Sequence, residues 1–309
     1  TEWILRRREQ LDKAKDKTPY LTFLRSYPLT IDELFEINRM GVFPQQVYDK
    51  LTISQKAIEN GNNPEIQCDL HRDEHGEIRT KQNNKGKFFI ISKPQPGEEY
   101  IAGRDPIPYA ENSLDDGSDD AIVIKGRYSN EYVAYYAERS LDSEYVMDNI
   151  LLLQEMYKCN RFPDGAVCML EMNAGGVAKK IYETRNKLHL LVNRCTHLGI
   201  EYEDKRTKKG WYKNDKTAPR AIKALIDYLL KYGDKIRFSR MIEELKRYPQ
   251  GNNDILDAML GTELLDLEIT EIAKVKYIAP TTRQQRFITR NGMGQTVEEW
   301  RNVPVSKIY

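Results

Sequence analysis

AVCMLEMN, residues 166–173, is apolar enough to run through a sheet, yet it carries Glu171 near its end. Near-continuous apolar runs mark strands covered on both faces. A carboxylate in such a run is costly unless it is ion-paired, protonated or bound to a cation. A basic neighbour, or a strand that has already ended, would also account for it. Upstream lie the short β-rich runs GKFFIISKP, EEYIAGRDP, DAIVIKGRY and EYVAYYAERS, separated by turn signals. They are followed by a helical pattern from Asp142 to about Lys158, apolar at Tyr145, Met147, Ile150, Leu151, Leu153 and Met156. Downstream the sequence predicts a helix from about Gly176 to Arg185, a strand in LHLLVNR and a basic hairpin-like stretch. Two more helices follow, APRAIKALIDYLLKYG with Thr217 as N-cap, and NNDILDAMLGTELL. Three antiparallel-looking strands, then helix–strand–helix–strand alternation, predict an α/β fold: a mixed sheet flanked by helices.

The flanks read differently. Residues 1 to about 60 are helical and partly extended, with a capping box at Thr30 and Glu33 and a closing Gly41. Residues 61–86 are polar and Gly/Asn-rich, as in a turn-rich connection or an exposed hairpin. From about Lys274 the chain is polar with scattered aromatics and reads as a tail. There is no internal repeat and no low-complexity tract.

Composition excludes several classes. Of 309 residues, 40% are hydrophobic, enough for a sizeable core. No apolar run nears the roughly 18 residues of a membrane helix, and TEWILRRREQ is not a signal peptide. Thr1 in place of Met points to a fragment or a processed chain. Cys68, Cys159, Cys168 and Cys195 lack CxxC spacing and fit reduced thiols in a cytosolic setting. With 48 basic and 47 acidic residues, net charge is +1, so a nucleic-acid partner would have to be read from distribution. Lys205–Arg220 is strongly basic and Glu111–Asp120 acidic; each reads first as a solvated loop.

Three motifs mislead. His71-Arg-Asp-Glu-His75 matches a zinc-protease pattern, but that chemistry needs a helix and this stretch is turn-like. GWYKNDKT (210–217) has Asp215 where a phosphate loop needs its second glycine. A Ser–His–Asp triad has no nucleophile elbow to support it.

The carboxylates remain. Asp105 ends EEYIAGRDP just before Pro106, where it could face a cation at the strand end or simply form a turn. Asp254 and Asp257, at i and i+3, share one face of a helix whose Leu256, Met259 and Leu260 pack inward. Asp254 could equally serve the helix N-terminus. Asp257 lies farther in, beside Ala258, which permits close packing. Acidic groups from a strand end, a central strand and a helix are what two-metal phosphodiester chemistry requires, with hard oxygen ligands for Mg²⁺ or Mn²⁺.

Taken in order, Gly-Arg-Asp105-Pro, Leu-Glu171-Met-Asn and Asp254-Ile-Leu-Asp257-Ala resemble the nuclease domain of tailed-phage large terminase subunits, RNase H-like and RuvC-related. SYPLTIDELFE (26–36), Asp120-Ala-Ile-Val-Ile and Lys216-Thr-Ala-Pro-Arg220 add to the resemblance, which spans about residues 20–265. Arg104 beside the first aspartate and the insert at 61–86 depart from it. The resemblance implies a residue 1–60 extension following an ATPase domain, a 61–96 polar insert and leading strand, a 97–270 RNase H-like nuclease domain and a 271–309 C-terminal tail. It implies that Asp105, Glu171 and Asp257 are catalytic metal ligands for two Mg²⁺ or Mn²⁺ ions, with Asp254 a further ligand or a helper. Lys208, Lys209, Trp211, Lys213, Lys216 and Arg220 would then line double-stranded DNA, mainly at phosphates. The implied activity is an endonuclease cutting concatemeric viral DNA in the cytoplasm of an infected bacterial host. The implied partners are the terminase ATPase domain, the small terminase subunit and the portal or procapsid, with no membrane. A RuvC-type junction resolvase, another RNase H-like nuclease, or a non-catalytic DNA-binding or docking module remain alternatives.

Overall fold

The computed structural model describes residues 2–13, 23, 27, 42–62, 64–109, 117–193, 209–276, 282–290 and 296–304. The capping box at Thr30 and Glu33, Cys195 and Lys208 lie outside these residues. Strands β1 (Ile66–Arg72), β2 (Ile78–Gln82), β3 (Phe88–Ile90), β4 (Tyr100–Asp105), β5 (Asp120–Gly126), β6 (Glu131–Glu138) and β7 (Val167–Leu170) form one sheet. Its order is β2-β1-β3-β6-β5-β4-β7. β4, β5 and β6 are successive antiparallel neighbours, and β7 joins β4 in parallel. The predicted mixed α/β sheet is therefore present, as an antiparallel meander with a parallel strand beside its first member.

Seven helices are described: α1 (Glu2–Asp12), α2 (Gln45–Glu59), α3 (Ser143–Met156), α4 (Gly176–Thr184), α5 (Ala218–Tyr232), α6 (Ser239–Arg247) and α7 (Asp254–Lys276). The pleat sorts the core into two layers, because successive side chains on a strand point to opposite faces. Ile101, Val123, Tyr135, Val167 and Met169 pack with α2, α5, α6 and α7. Tyr100, Ala102, Ile122, Ile124, Tyr136, Cys168 and Leu170 pack with α3 and α4. α7 lies directly under the sheet, and Ile255, Leu256, Ala258, Met259 and Leu260 are all buried, as expected of a helix apolar on nearly every side.

That approach depends on Gly103 in β4. A Cβ there would stand 2.0 Å from Ala258 O and 2.5 Å from Thr262 N, so only glycine lets the α7 backbone come this close.

Several expectations change. The 61–86 stretch takes the hairpin reading, as β1–β2, and what is new is that it widens the sheet through pairing of β1 with β3. His71 sits on β1, and Asp73 closes the turn by accepting from the His75 and Glu77 backbone N–H groups, so the HxxEH letters form no helix. LHLLVNR is not a strand. Leu188–Leu190 is a 3₁₀ turn, followed by single bridges from Leu191 to Cys168 and from Asn193 to Lys209. The stretch read as a tail continues α7 to Lys276 and then pairs β8 (Thr282–Arg290) with β9 (Thr296–Pro304) as an antiparallel hairpin. Asp142 caps α3 as a side-chain acceptor from Tyr145 N–H. Thr217 stands at the N-cap of α5 as expected but makes no side-chain cap bond; its hydroxyl instead accepts from Asn214 N–H and donates to Tyr212 O. Asp120, last of the acidic run, is fully buried rather than solvated.

Candidate active site

The pleat that sorts the core also assembles the acidic cluster. Asp105 lies two and four residues beyond Gly103 and Ile101 on β4, so it falls on the α7 face. Glu171 lies two residues beyond Met169 on β7 and falls on that same face. Because Arg104 pairs with Leu170 across the parallel register, Asp105 and Glu171 stand next to each other. Both are at the carboxyl ends of parallel strands, where open α/β sheets place their ligands. β7 stops at Leu170, so Glu171 is just past the strand rather than within it, though still held on both sides. Its N–H donates to Arg104 O (2.9 Å), and it bridges Trp211 in parallel.

α7 brings the third and fourth carboxylates to this place from its first turn. Asp257 N–H donates to Asn253 O at 2.8 Å, closing that turn. Asp254 is buried, and its Oδ2 accepts from Asp119 N–H at 2.9 Å. Asp119 is in turn held by Arg240 at 2.6 Å. Glu244 of α6 accepts from Leu256 N–H at 3.0 Å and so pins the start of α7. Asp254 is thus engaged in fixing helix to sheet, while Asp257 lies within electrostatic reach of Asp105 and Glu171.

The electrostatics follow from crowding. Burial first, then the charges of Glu171, Asp257 and Asp254, hold the Asp105 carboxyl well above the usual carboxylate range, against the pull of Lys213. Glu171 is also raised, by burial and Asp257, with Lys213 and a hydrogen-bonding contact to Asp105 opposing. Asp254 is raised mainly by burial. Lys213 Nζ lies 2.6 Å from Asp257 Oδ2. Burial alone would depress its ammonium, but Asp257, Glu171 and Asp105 outweigh that and raise it. The other Asp257 oxygen, Oδ1, is buried without a hydrogen-bond partner. Buried acceptors are nearly always satisfied, so this orphaned oxygen and its clustered neighbours are donors of the kind a hard divalent cation takes. Among the described residues, no three His, Cys, Asp or Glu side chains already stand at metal-holding spacing. The cation beside Asp257 is Lys213.

Neither a scan of protein families nor a search of curated proteins finds a match. Among solved structures, the magnesium-bound large terminase nuclease of thermophilic phage G20c is similar at TM-score 0.42 and 10% identity, over 70% of this chain and 95% of that one. The G20c nuclease with zinc bound gives the same TM-score and identity, over 70% and 96%. The large terminase nuclease domain of Thermus phage P74-26 is similar at 0.41 and 12%, over 70% and 93%. A likeness of this degree carries no residue roles, which rest on this chain's own side chains.

The basic stretch divides sharply. Trp211 is 1% exposed and belongs to the core, so its ring is not on a DNA-facing surface. Its backbone carries the Glu171 region instead: Trp211 N–H donates to Leu170 O (2.9 Å) and Trp211 O accepts from Met172 N–H (2.8 Å). Gly210, at φ +67° and with no room for a Cβ against Leu170 O, makes that approach possible. Lys209 Nζ is turned to Leu191 O, and burial lowers its pKa. Lys213 joins the acidic cluster, while Lys216 and Arg220 are exposed. Arg104, adjacent to Asp105 in sequence, points to the opposite face and is buried against Asp120 at 2.9 and 2.7 Å, with Tyr109 on the same carboxylate. Sequence reasoning missed Gly103, Asn173 and the ion-pairing role of Lys213. Only the small residue between Ala102 and Arg104 gave a local hint, at Gly103.

Proposed function

We propose that this chain is a divalent-metal-dependent endonuclease acting on double-stranded DNA. The observation that carries the reading is the convergence of Asp105, Glu171 and Asp257, from two strand ends and a helix start, with an unsatisfied buried oxygen on Asp257. Asp105, Glu171 and Asp257 would hold Mg²⁺ or Mn²⁺, with Asp254 in support. When bound, such ions neutralise phosphoryl oxygens and acidify coordinated water.

The chain's own contribution is placement. Backbone pairing of Glu171 with Arg104 and Trp211 fixes one carboxylate, and the β4 register fixes Asp105 beside it. The Asp254–Asp119 and Glu244–Leu256 contacts set where the α7 start presents Asp257. Exposed Lys216 and Arg220 supply charge for phosphate, a sequence-independent attraction. The sequence resemblance extends the proposal to concatemeric phage DNA cut in the host cytoplasm during packaging, alongside an ATPase domain, a small subunit and a portal.

The test is incubation with supercoiled plasmid in Mg²⁺ or Mn²⁺, with and without EDTA. Nicking that requires the ion and leaves no preference for branched over linear duplex supports the reading. Cleavage indifferent to EDTA would overturn it, and strong selectivity for four-way junctions would move it to a resolvase.

A further inference from the structure

Lys213 is too deliberately placed for a passing surface contact. Its backbone is clamped to Asn173, two residues beyond Glu171: Lys213 N–H donates to Asn173 Oδ1 (3.0 Å) and Asn173 Nδ2 donates to Lys213 O (2.9 Å). The clamp delivers the ammonium to Asp257 Oδ2 at 2.6 Å, within electrostatic reach of Glu171 and Asp105 as well. The pair stays partly open, with side chains 30% and 18% exposed, so it is not sealed in the core. An open ion pair adds little to stability, and the clamp holds the loop whatever side chain stands at 213.

One ammonium stands among three acidic side chains and is in direct contact with Asp257. A lysine is a compact charge on a flexible stem and binds phosphate readily. We infer that Lys213 is a resident counter-cation that occupies the divalent ion's place at Asp257 until duplex phosphate draws it away. This rests on the metal-dependent reading above and deepens it. Two consequences follow from charge alone. Without DNA, Lys213 competes with the ion and weakens its binding. With DNA, the ammonium moves to a phosphate, Asp257 is released, and ion and duplex bind cooperatively, each strengthening the other by the same factor. Such a chain holds its metal poorly until substrate is present, which limits stray cleavage.

The experiment titrates Mn²⁺ by electron paramagnetic resonance into wild type, Lys213→Met, Lys213→Arg and Asp105→Asn. Each is measured alone and with a short duplex carrying non-hydrolysable linkages, and folding is verified by circular dichroism. Without DNA, Lys213→Met binds Mn²⁺ more tightly than wild type, on the order of tenfold, the scale of changes beside metal ligands. Duplex tightens Mn²⁺ binding to wild type and Lys213→Arg but leaves Lys213→Met nearly unchanged. Equal or weaker Mn²⁺ binding by Lys213→Met, while Asp105→Asn loses the ion, overturns the counter-cation role and leaves the nuclease reading standing. Absence of Mn²⁺ binding in wild type and Lys213→Met alike overturns both.

Discussion

At the scale of single residues, the acidic cluster carries an electrostatic strain. Burial and like charges raise Asp105 above its unfolded value, so the folded chain binds that proton more tightly than the unfolded one. Its contribution therefore favours folding at low pH and is lost as pH rises from the ordinary carboxylate range through the raised folded value. Asp105→Asn removes this cost. In EDTA at neutral pH, its melting temperature is expected to exceed wild type's by about 2–4 °C, the shift that 1 kcal/mol gives a domain of this size. An unchanged or lower value contradicts the strain. Trp211 is the converse case. As a core residue, Trp211→Ala should lose about 3–5 kcal/mol in denaturant unfolding, whereas a DNA-stacking role would spare stability and weaken binding.

Among elements, the decisive contact is α7 against β4. Gly103→Ala inserts a methyl group where Ala258 O and Thr262 N already stand. It is expected to cost about 1–3 kcal/mol and to reduce cleavage by shifting Asp257 relative to Asp105. Gly176→Ala, where a Cβ meets nothing within 4 Å, serves as the neutral control. Much at this scale was legible in the sequence. Strand alternation placed β4, β5 and β6, and helical spacing put Asp254 and Asp257 on one face. What escaped depended on partners distant in the chain. The Arg104–Asp120 pair follows from antiparallel register, which no local pattern shows. Trp211 among lysines reads alike whether the ring is buried or stacked on a base. LHLLVNR has strand composition, but the turn after α4 spends its first residues in a 3₁₀ turn.

For the whole molecule, near-zero net charge hid a local polarity. Carboxylates gather at the ends of β4 and β7, and exposed Lys216 and Arg220, four residues apart, flank the start of α5. With DNA along that side, Lys216→Ala/Arg220→Ala lowers the slope of log affinity against log salt by about 2, one per phosphate contact. An unchanged slope removes them from the interface. The most direct test of the central claim is plasmid nicking by Asp257→Asn beside wild type in Mn²⁺. Wild type should nick supercoiled DNA and stop in EDTA, and the folded variant should fall by two or more orders of magnitude, on the order expected for loss of a group acting on the transition state. Undiminished nicking by Asp257→Asn would contradict the proposal.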